Sequence, residues 1–245
     1  MKVTYDFSSK IVLIAGAGSG IGLAITRTCL QAGATVLASD IKIDALLNLK
    51  HPACEITRLD ITDSAAITFY FKNLLKRHHR IDAAVLASGI QERISVESMR
   101  DFEWQKHIDV NLTGIFYMVR SLFPIMKNQR AGSIVVFTSG LATQGYPGAT
   151  AYGASKAGLI GLVKSAAQEL KDHGVRINAV SPGITHTPLF HESATAEEVK
   201  MYEESLGVSL PEEVAPMLMH LISDGATSIS GNVIERRLIP KKPNP

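Results

Sequence analysis

The chain is short of several things that would fix its class at once. Only two cysteines occur in 245 residues. Cys29 and Cys54 have neither the density of a disulfide scaffold nor the spacing of a metal site. Both stand in apolar surroundings and read as buried thiols. No run reaches the ~18 consecutive apolar residues of a membrane span. The opening residues, Met1 to Asp6, hold no long apolar stretch of a secretion signal. An excess of one charge is missing too, since 25 basic and 23 acidic residues leave a net charge of +2. That balance gives no electrostatic reason for a nucleic-acid partner. The one dense basic run, Lys76-Arg77-His78-His79-Arg80, falls at an expected helix end, where cations suit the dipole. His107 and His173 have no partners at ligand spacing, so surface or capping roles and no bound metal are expected. These absences lead to a cytoplasmic protein with no membrane and no nucleic-acid partner.

What is present is apolar material, 46% of the chain, enough for a sizeable core. The chain is organised around Lys10-Ile11-Val12-Leu13-Ile14-Ala15-Gly16-Ala17-Gly18-Ser19-Gly20-Ile21-Gly22. A short apolar strand meets a glycine cluster, and a helical pattern follows at once. Gly16 suits a tight turn, while Gly20 and Gly22 let the backbone approach a ligand and the helix approach the sheet. The free N–H groups at that helix start then face a pyrophosphate. No Lys-Ser or Lys-Thr follows the glycines, so a nucleoside-triphosphate loop is excluded.

The remaining pattern alternates strands and helices. Strands are expected at 11–15, 34–39, 54–59, 81–87, 133–138, 175–180 and 229–235. Helices are expected at 20–32, 42–49, 63–78, 99–128, 151–171 and 211–223, with Asp63 as a cap. The helical region 99–128 should be interrupted near Asn111 and Gly114 and bent at Pro124. Met118 and Phe123 read as core or interface, and Trp104 as an anchor between helices. The row Met217, Leu218, Met219 and Leu221 is an apolar face on the substrate side. Most strands are continuous apolar runs, as in parallel sheets buried on both faces. The prediction is one doubly wound Rossmann-type α/β domain, 1–245, with a mostly parallel, seven-stranded sheet flanked by helices. Residues 184–210 carry no clear core pattern and lie beyond a strand's carboxyl end. They are the expected substrate lid.

Asp40 ends the second strand, where a carboxylate can accept both ribose hydroxyl hydrogen bonds of adenosine and repel a 2′-phosphate. That favours NAD as the cofactor. Asp60 and Ile61 should bracket the adenine, and Ala87 and Gly89 should bring backbone beside the dinucleotide. Tyr152 and Lys156 share one helix face at i and i+4. An ammonium nearby favours the phenolate, so the pair can move a proton to or from an alcohol oxygen. Ser139, ending the fifth strand, can donate a hydrogen bond to that oxygen.

The ordered set Gly16-Ala17-Gly18-Ser19-Gly20-Ile21-Gly22, Asn111, Ser139, Tyr152-Gly153-Ala154-Ser155-Lys156, and Pro182-Gly183 with Thr187 resembles the short-chain dehydrogenase/reductase family, classical subgroup. The resemblance runs from about Lys10 to Val233. It implies that Tyr152 is the acid/base and that Ser139 orients the substrate oxygen. Lys156 would bind the nicotinamide ribose and lower the tyrosine pKa. Asn111 would hold a water of a proton relay. Gly16, Ser19, Gly20, Ile21 and Gly22 would carry the pyrophosphate. Pro182, Gly183, Ile184 and Thr187 would lie against the nicotinamide. The resemblance also implies a homotetramer or homodimer paired through the long helices.

Three departures stand out. Ala15 replaces a threonine, Leu86-Ala87-Ser88-Gly89 replaces Asn-Asn-Ala-Gly, and Glu235-Arg236-Arg237 replaces Asp-Gly-Gly. The tail Lys241-Lys242-Pro243-Asn244-Pro245 is also unusual. The expected reaction is NAD-dependent interconversion of a neutral secondary alcohol and its ketone. Alternatives are an NADPH-dependent 3-oxoacyl thioester reductase and a catalytically weak dinucleotide sensor.

Overall fold

The structure, a computed structural model, describes residues 3–236. Arg237, the Lys241–Pro245 tail and the first two residues lie outside the described residues. Seven strands form one parallel sheet: β1 (Ile11–Ala15), β2 (Thr35–Asp40), β3 (Cys54–Arg58), β4 (Ala83–Leu86), β5 (Gly132–Phe137), β6 (Val175–Ser181) and β7 (Val233–Glu235). Their order is β3-β2-β1-β4-β5-β6-β7, so the chain reverses direction across the sheet between β1 and β4. Register pairs Val12 with Val36 on one side and with Ala83 on the other. A Rossmann-type sheet of this order opens a crevice at its carboxyl edge, where β1 and β4 part.

Helices cover both faces. They are α1 (Gly20–Gln31), α2 (Asp44–Leu47), α3 (Ser64–Arg77), α4 (Asp101–Ile108), α5 (Gly114–Gln129), α6 (Leu141–Gln144), α7 (Thr150–Leu170), α8 (Pro188–Ser193), α9 (Ala196–Glu204) and α10 (Ala215–Ile222). The continuous apolar strands supply two cores. Leu13, Leu86 and Ile134 face Met118, Leu159 and Val163 on one side. Val12, Ile14 and Val135 face Ile25, Cys29 and Leu218 on the other. Fully burying such side chains stabilises by roughly 1.5–3 kcal/mol each, less their entropy loss. Asp63 caps α3 as expected, accepting from the N–H groups of Ala65 and Ala66 at 2.9 Å.

Several expectations need correction. Pro124 lies inside α5 without breaking it, while the interruption expected near Asn111 and Gly114 is present as a π-helical turn at Asp109–Thr113. Proline removes one helical bond, whereas the π turn re-aims a side chain. The apolar row on α10 packs against α1 in the core and not on the substrate side. Trp104 is 38% exposed, so it does not anchor its helix inside the protein. Cys54 is half-buried, unlike Cys29. His107 is buried: Nδ1 donates to the Glu103 carbonyl at 2.8 Å, and Nε2 accepts the Glu92 N–H at 3.1 Å. The 184–210 stretch is not structureless, because it forms α8 and α9. Neither helix buries a residue, which is why no core pattern marks them. Among the described residues no helix is long and apolar enough to cross a membrane.

Candidate active site

The site is built along the carboxyl edge of the sheet. Gly16 leaves β1 at φ 78°, a conformation that resists side chains. A methyl at Gly22 would fall 1.9 Å from the Gly16 carbonyl oxygen, so only glycine lets α1 start this close to the strand. Ser19 is the exposed residue before α1, and its side chain makes no cap bond. The first N–H groups of α1 therefore point outward unclaimed by a side chain, a ready anion site.

Asp40 ends β2 beside this turn. Its carboxylate accepts the Gly18 N–H at 2.8 Å and the Lys42 N–H at 2.9 Å. Asp60 turns the chain after β3 by accepting from the N–H and hydroxyl of Thr62. A cleft of about 1030 Å³ lies between these parts. Gly16, Ser19, Asp40, Asp60, Ile61, Ala87 and Gly89 all line it. So do Pro188, Leu189 and Glu192 from the 184–210 segment, which no spacing rule had marked. Its acidic lining residues are Asp40, Asp60, Glu92, Asp101, Asp109 and Glu192; its basic ones are Lys42 and Lys106. Lys106 is already paired with Glu92 at 2.6 Å.

Gly89 joins the cleft to the proposed chemistry. A methyl there would lie 3.3 Å from Asn111 Oδ1 and 3.4 Å from Lys156 Nζ. Asn111, in the π turn, is fully buried. Its amide takes the Ile90 N–H at 2.8 Å and donates to the Ile90 carbonyl at 2.9 Å and Ser155 Oγ at 3.1 Å. These bonds clamp the exit of β4 to α7.

Tyr152 and Lys156 lie on the buried face of α7, as the four-residue spacing predicts. Lys156 Nζ stands 5.7 Å from the centre of the Tyr152 ring and donates to the Phe137 carbonyl at 2.9 Å. Burial brings its pKa down to about 8. Burial pushes the Tyr152 phenol up to about 12, and the hydrogen bond with Ser139 pulls the other way. Desolvation disfavours the charged form of both groups, which is why the two pKa values move in opposite directions. A protonated phenol held against Ser139 is a proton donor first.

Pro182, Gly183 and Ile184 follow β6 along the same edge. The Pro182 carbonyl accepts from Arg236 at 3.4 Å, and Gly183 takes φ 76°. Thr187 caps α8, its hydroxyl accepting the Phe190 N–H at 3.2 Å. Its methyl packs so near Gly20 that a methyl there would be 2.9 Å away. Seven of the candidate residues thus line the cleft, whereas Gly20, Ile21, Gly22, Asn111, Ser139, Tyr152, Lys156, Pro182, Gly183, Ile184 and Thr187 are not part of its wall.

Sequence reasoning missed one cluster. Arg93, Tyr146 and Glu198 meet across 52 and 105 residues of chain. Spacing carries no trace of such a contact. Only the Thr195–Glu198 helix-start pattern was legible locally.

Comparison with known proteins agrees with this geometry. The chain is 38% identical over 233 residues to the 3-oxoacyl-[acyl-carrier-protein] reductase of Thermotoga maritima, covering 92% of this chain and 95% of the relative. It is 34% identical over 238 residues to the cyclohexanol dehydrogenase of an Acinetobacter species, covering 92% of each. The crystal structure of levodione reductase superposes with a TM-score of 0.88 at 26% identity, over 94% of this chain and 97% of that one. The pattern of the family described as short chain dehydrogenase matches residues 10–198. A strand-turn-helix cradle beside a buried tyrosine–lysine pair and a half-buried serine, in a chain matched along most of its length, makes this protein a member of the short-chain dehydrogenase family.

Proposed function

We propose that this oxidoreductase reduces a ketone to a secondary alcohol with NADH, and that the ketone is the 3-oxo group of an acyl thioester. The observation that carries the chemistry is the buried Tyr152 phenol, hydrogen-bonded to Ser139 with Lys156 5.7 Å from its ring. The residues present fit a dinucleotide, since the Gly16–Gly22 turn leaves no room for side chains and opens on the cleft. When bound, the dinucleotide supplies a hydride from its nicotinamide ring, or takes one up in the reverse direction.

The protein's own part is proton transfer and orientation. Tyr152 donates its proton to the carbonyl oxygen, and Ser139 donates a hydrogen bond to the same atom. Lys156 lies close enough to carry ribose contacts and to stabilise the phenolate left behind. Asn111 fixes the backbone beside them and stands at the inner end of a proton relay. Gly16, Ser19, Gly20, Ile21 and Gly22 receive the pyrophosphate, and Asp60, Ile61, Ala87 and Gly89 flank the adenosine half. Pro182, Gly183, Ile184 and Thr187 hold the nicotinamide end. Residues 184–210 act as the lid.

Asp40 supports NADH over NADPH, because its carboxylate would repel a ribose 2′-phosphate in a cleft whose charged lining residues are mostly acidic. The activity for which the Thermotoga relative is named supports the 3-oxoacyl substrate. A second reading, oxidation of a neutral secondary alcohol with NAD, is favoured by a different observation. Most cations near the cleft are paired, Arg93 with Glu198, Arg100 with Glu103 and Lys106 with Glu92, and Lys42 is the exception among its lining residues. They offer little to an acidic carrier protein, and the Acinetobacter relative is named for a neutral alcohol. The unpaired Cys29 and Cys54 support a cytoplasmic setting. Exposed Phe102, Trp104 and Phe116 on α4 and α5 support a homotetramer or homodimer through the long helices.

Titration with NADH and NADPH, followed by nicotinamide fluorescence, tests the cofactor. The expected result is at least ~10-fold preference for NADH, or ~1.4 kcal/mol. Turnover of acetoacetyl-CoA with NADH, against cyclohexanone and cyclohexanol, then separates the substrate readings. A Tyr152→Phe control ties turnover to the site. NADH binding with no turnover across such a panel would instead identify a dinucleotide sensor.

A further inference from the structure

The 184–210 segment has two different attachments. Its ends are zipped together by backbone bonds: Thr185 and Ser209 form a parallel bridge, the Ser209 N–H donates to the Ile184 carbonyl at 3.0 Å, and the His186 N–H donates to the Ser209 carbonyl at 2.8 Å. Arg236, just past β7, pins this stem from below. Its guanidinium donates to Ser209 Oγ at 2.7 Å and to the Pro182 carbonyl at 3.4 Å. The helices beyond the stem bury no residue, so apolar packing contributes little to holding them down.

At the tip, α9 meets the body of the protein through Glu198. Both carboxylate oxygens lie 2.6 Å from Arg93 Nη1. The Tyr146 hydroxyl donates to one of them at 2.7 Å, and Tyr202 of the same helix also hydrogen-bonds that hydroxyl. The Arg93 guanidinium lies 4.7 Å over the Tyr146 ring. The two receiving loops are joined to each other, since the Ile94 N–H donates to the Gly148 carbonyl at 2.9 Å. Glu198 also accepts the Thr195 N–H at 2.8 Å, so the carboxylate that reaches Arg93 is fixed in the first turn of α9. With these donors around it, led by the Thr195 N–H and the Tyr146 hydroxyl, its pKa falls to about 2 and it stays charged.

An exposed ion pair contributes little to stability. Here both side chains are only 21% exposed, and a hydroxyl and a ring complete the set. We infer that Arg93, Tyr146 and Glu198 form a latch that holds α9 closed over the reaction site, which makes Arg93 and Glu198 positioning residues for the substrate. The assignment of 184–210 as the lid comes from the proposed function; the latch is tested without reference to activity.

The experiment is limited trypsin digestion of the folded protein, followed at Lys200. That residue lies within α9 and its side chain is 76% exposed, so cleavage reports the opening of this helix. Glu198→Gln removes the charge but keeps a side chain able to cap the helix. It should raise the cleavage rate at Lys200 about tenfold, while melting temperature and cleavage after Lys127 stay as in the unmodified protein. Arg93→Gln should do the same, and Arg93→Lys should restore most of the protection. An unchanged rate at Lys200 in Glu198→Gln overturns the latch. So does an equal rise at Lys127, which would mark general destabilisation. With a substrate in hand, Glu198→Gln should raise KM severalfold and leave kcat within about twofold. If the protein turns over no ketone or alcohol, the proposed reaction fails and the digestion result still stands or falls alone.

Discussion

Helices α7 and α9 are held to the protein on opposite terms. α7 buries nine of its 21 residues, among them Tyr152, Ser155 and Lys156. α9 buries none of its nine and is tied to the body through Glu198. One helix gives up solvent to fix chemical groups; the other keeps its solvent and its freedom to leave. Catalytic groups need placement within fractions of an ångström, which packed elements supply. Access needs a segment that opens at little cost, which a thinly packed one supplies. The difference also explains the pKa values. Burial on α7 moves Tyr152 and Lys156 toward their neutral forms, while the partners of Glu198 keep it ionised.

The largest effect expected from this contrast is catalytic. Tyr152→Phe should lower turnover by roughly 10²–10⁴-fold while NADH titration stays within about twofold. A matching loss of NADH affinity would mean that the phenol holds the cofactor rather than the proton. Next comes stability. Leu159→Ala on α7 should cost ~2–5 kcal/mol in urea unfolding, because the side chain is fully buried. Leu206→Ala, in the 184–210 segment and 52% exposed, should stay within ~0.5 kcal/mol. Equal costs would erase the distinction between scaffold and lid. Asp40→Ser should then reduce the preference for NADH by about tenfold, ~1.4 kcal/mol, in the same fluorescence titration.

The smallest effect is a pH dependence. Lys156 titrates at about 8 when folded and near its ordinary 10.5 when unfolded, so the unfolded chain holds more protons between those values. Stability attributable to this group should therefore rise as pH increases from about 8 toward 10. The buried Cys29, raised to about 12, acts in the opposite direction above its ordinary 9. Comparing thermal melts of the unmodified protein with Lys156→Met cancels that term. The unmodified protein should gain stability relative to Lys156→Met between about pH 8 and 10; a flat or falling difference would remove the lysine from that role.

The scaffold half of this comparison is legible in the sequence, and the lid half mostly is not. The glycine run, Asp40 and the Tyr152–Lys156 spacing are local features, so short-range geometry predicts their placement. The continuous apolar strands likewise announce a parallel sheet. The interruption at Asn111 was expected, though its form as a π turn depends on bonds to Ile90 and Ser155 from elsewhere. His107 misled because its buried partners are backbone groups, which no residue pattern displays. The Arg93–Tyr146–Glu198 contact is invisible for a similar reason: two loops and a helix must be placed before the residues meet. The helices of 184–210 escaped because an exposed helix has no core face to write. Thr187-Pro188 and Thr195-x-x-Glu198 were their start signals, and these are the features by which such helices can be found.

The zipped stem at Thr185 and Ser209 has a consequence for how this protein can be altered. Its principal bonds run between backbone groups, and backbone groups are common to almost every residue type. The 21 positions from 188 to 208 can therefore be exchanged as a cassette, carried between two fixed points whose separation the sheet determines, with Thr187 left in its place against Gly20. A grafted segment of another length or sequence would bring its own pocket shape while Tyr152, Ser139 and the dinucleotide cradle keep their places. The fold in this way separates the inheritance of chemistry from the inheritance of taste.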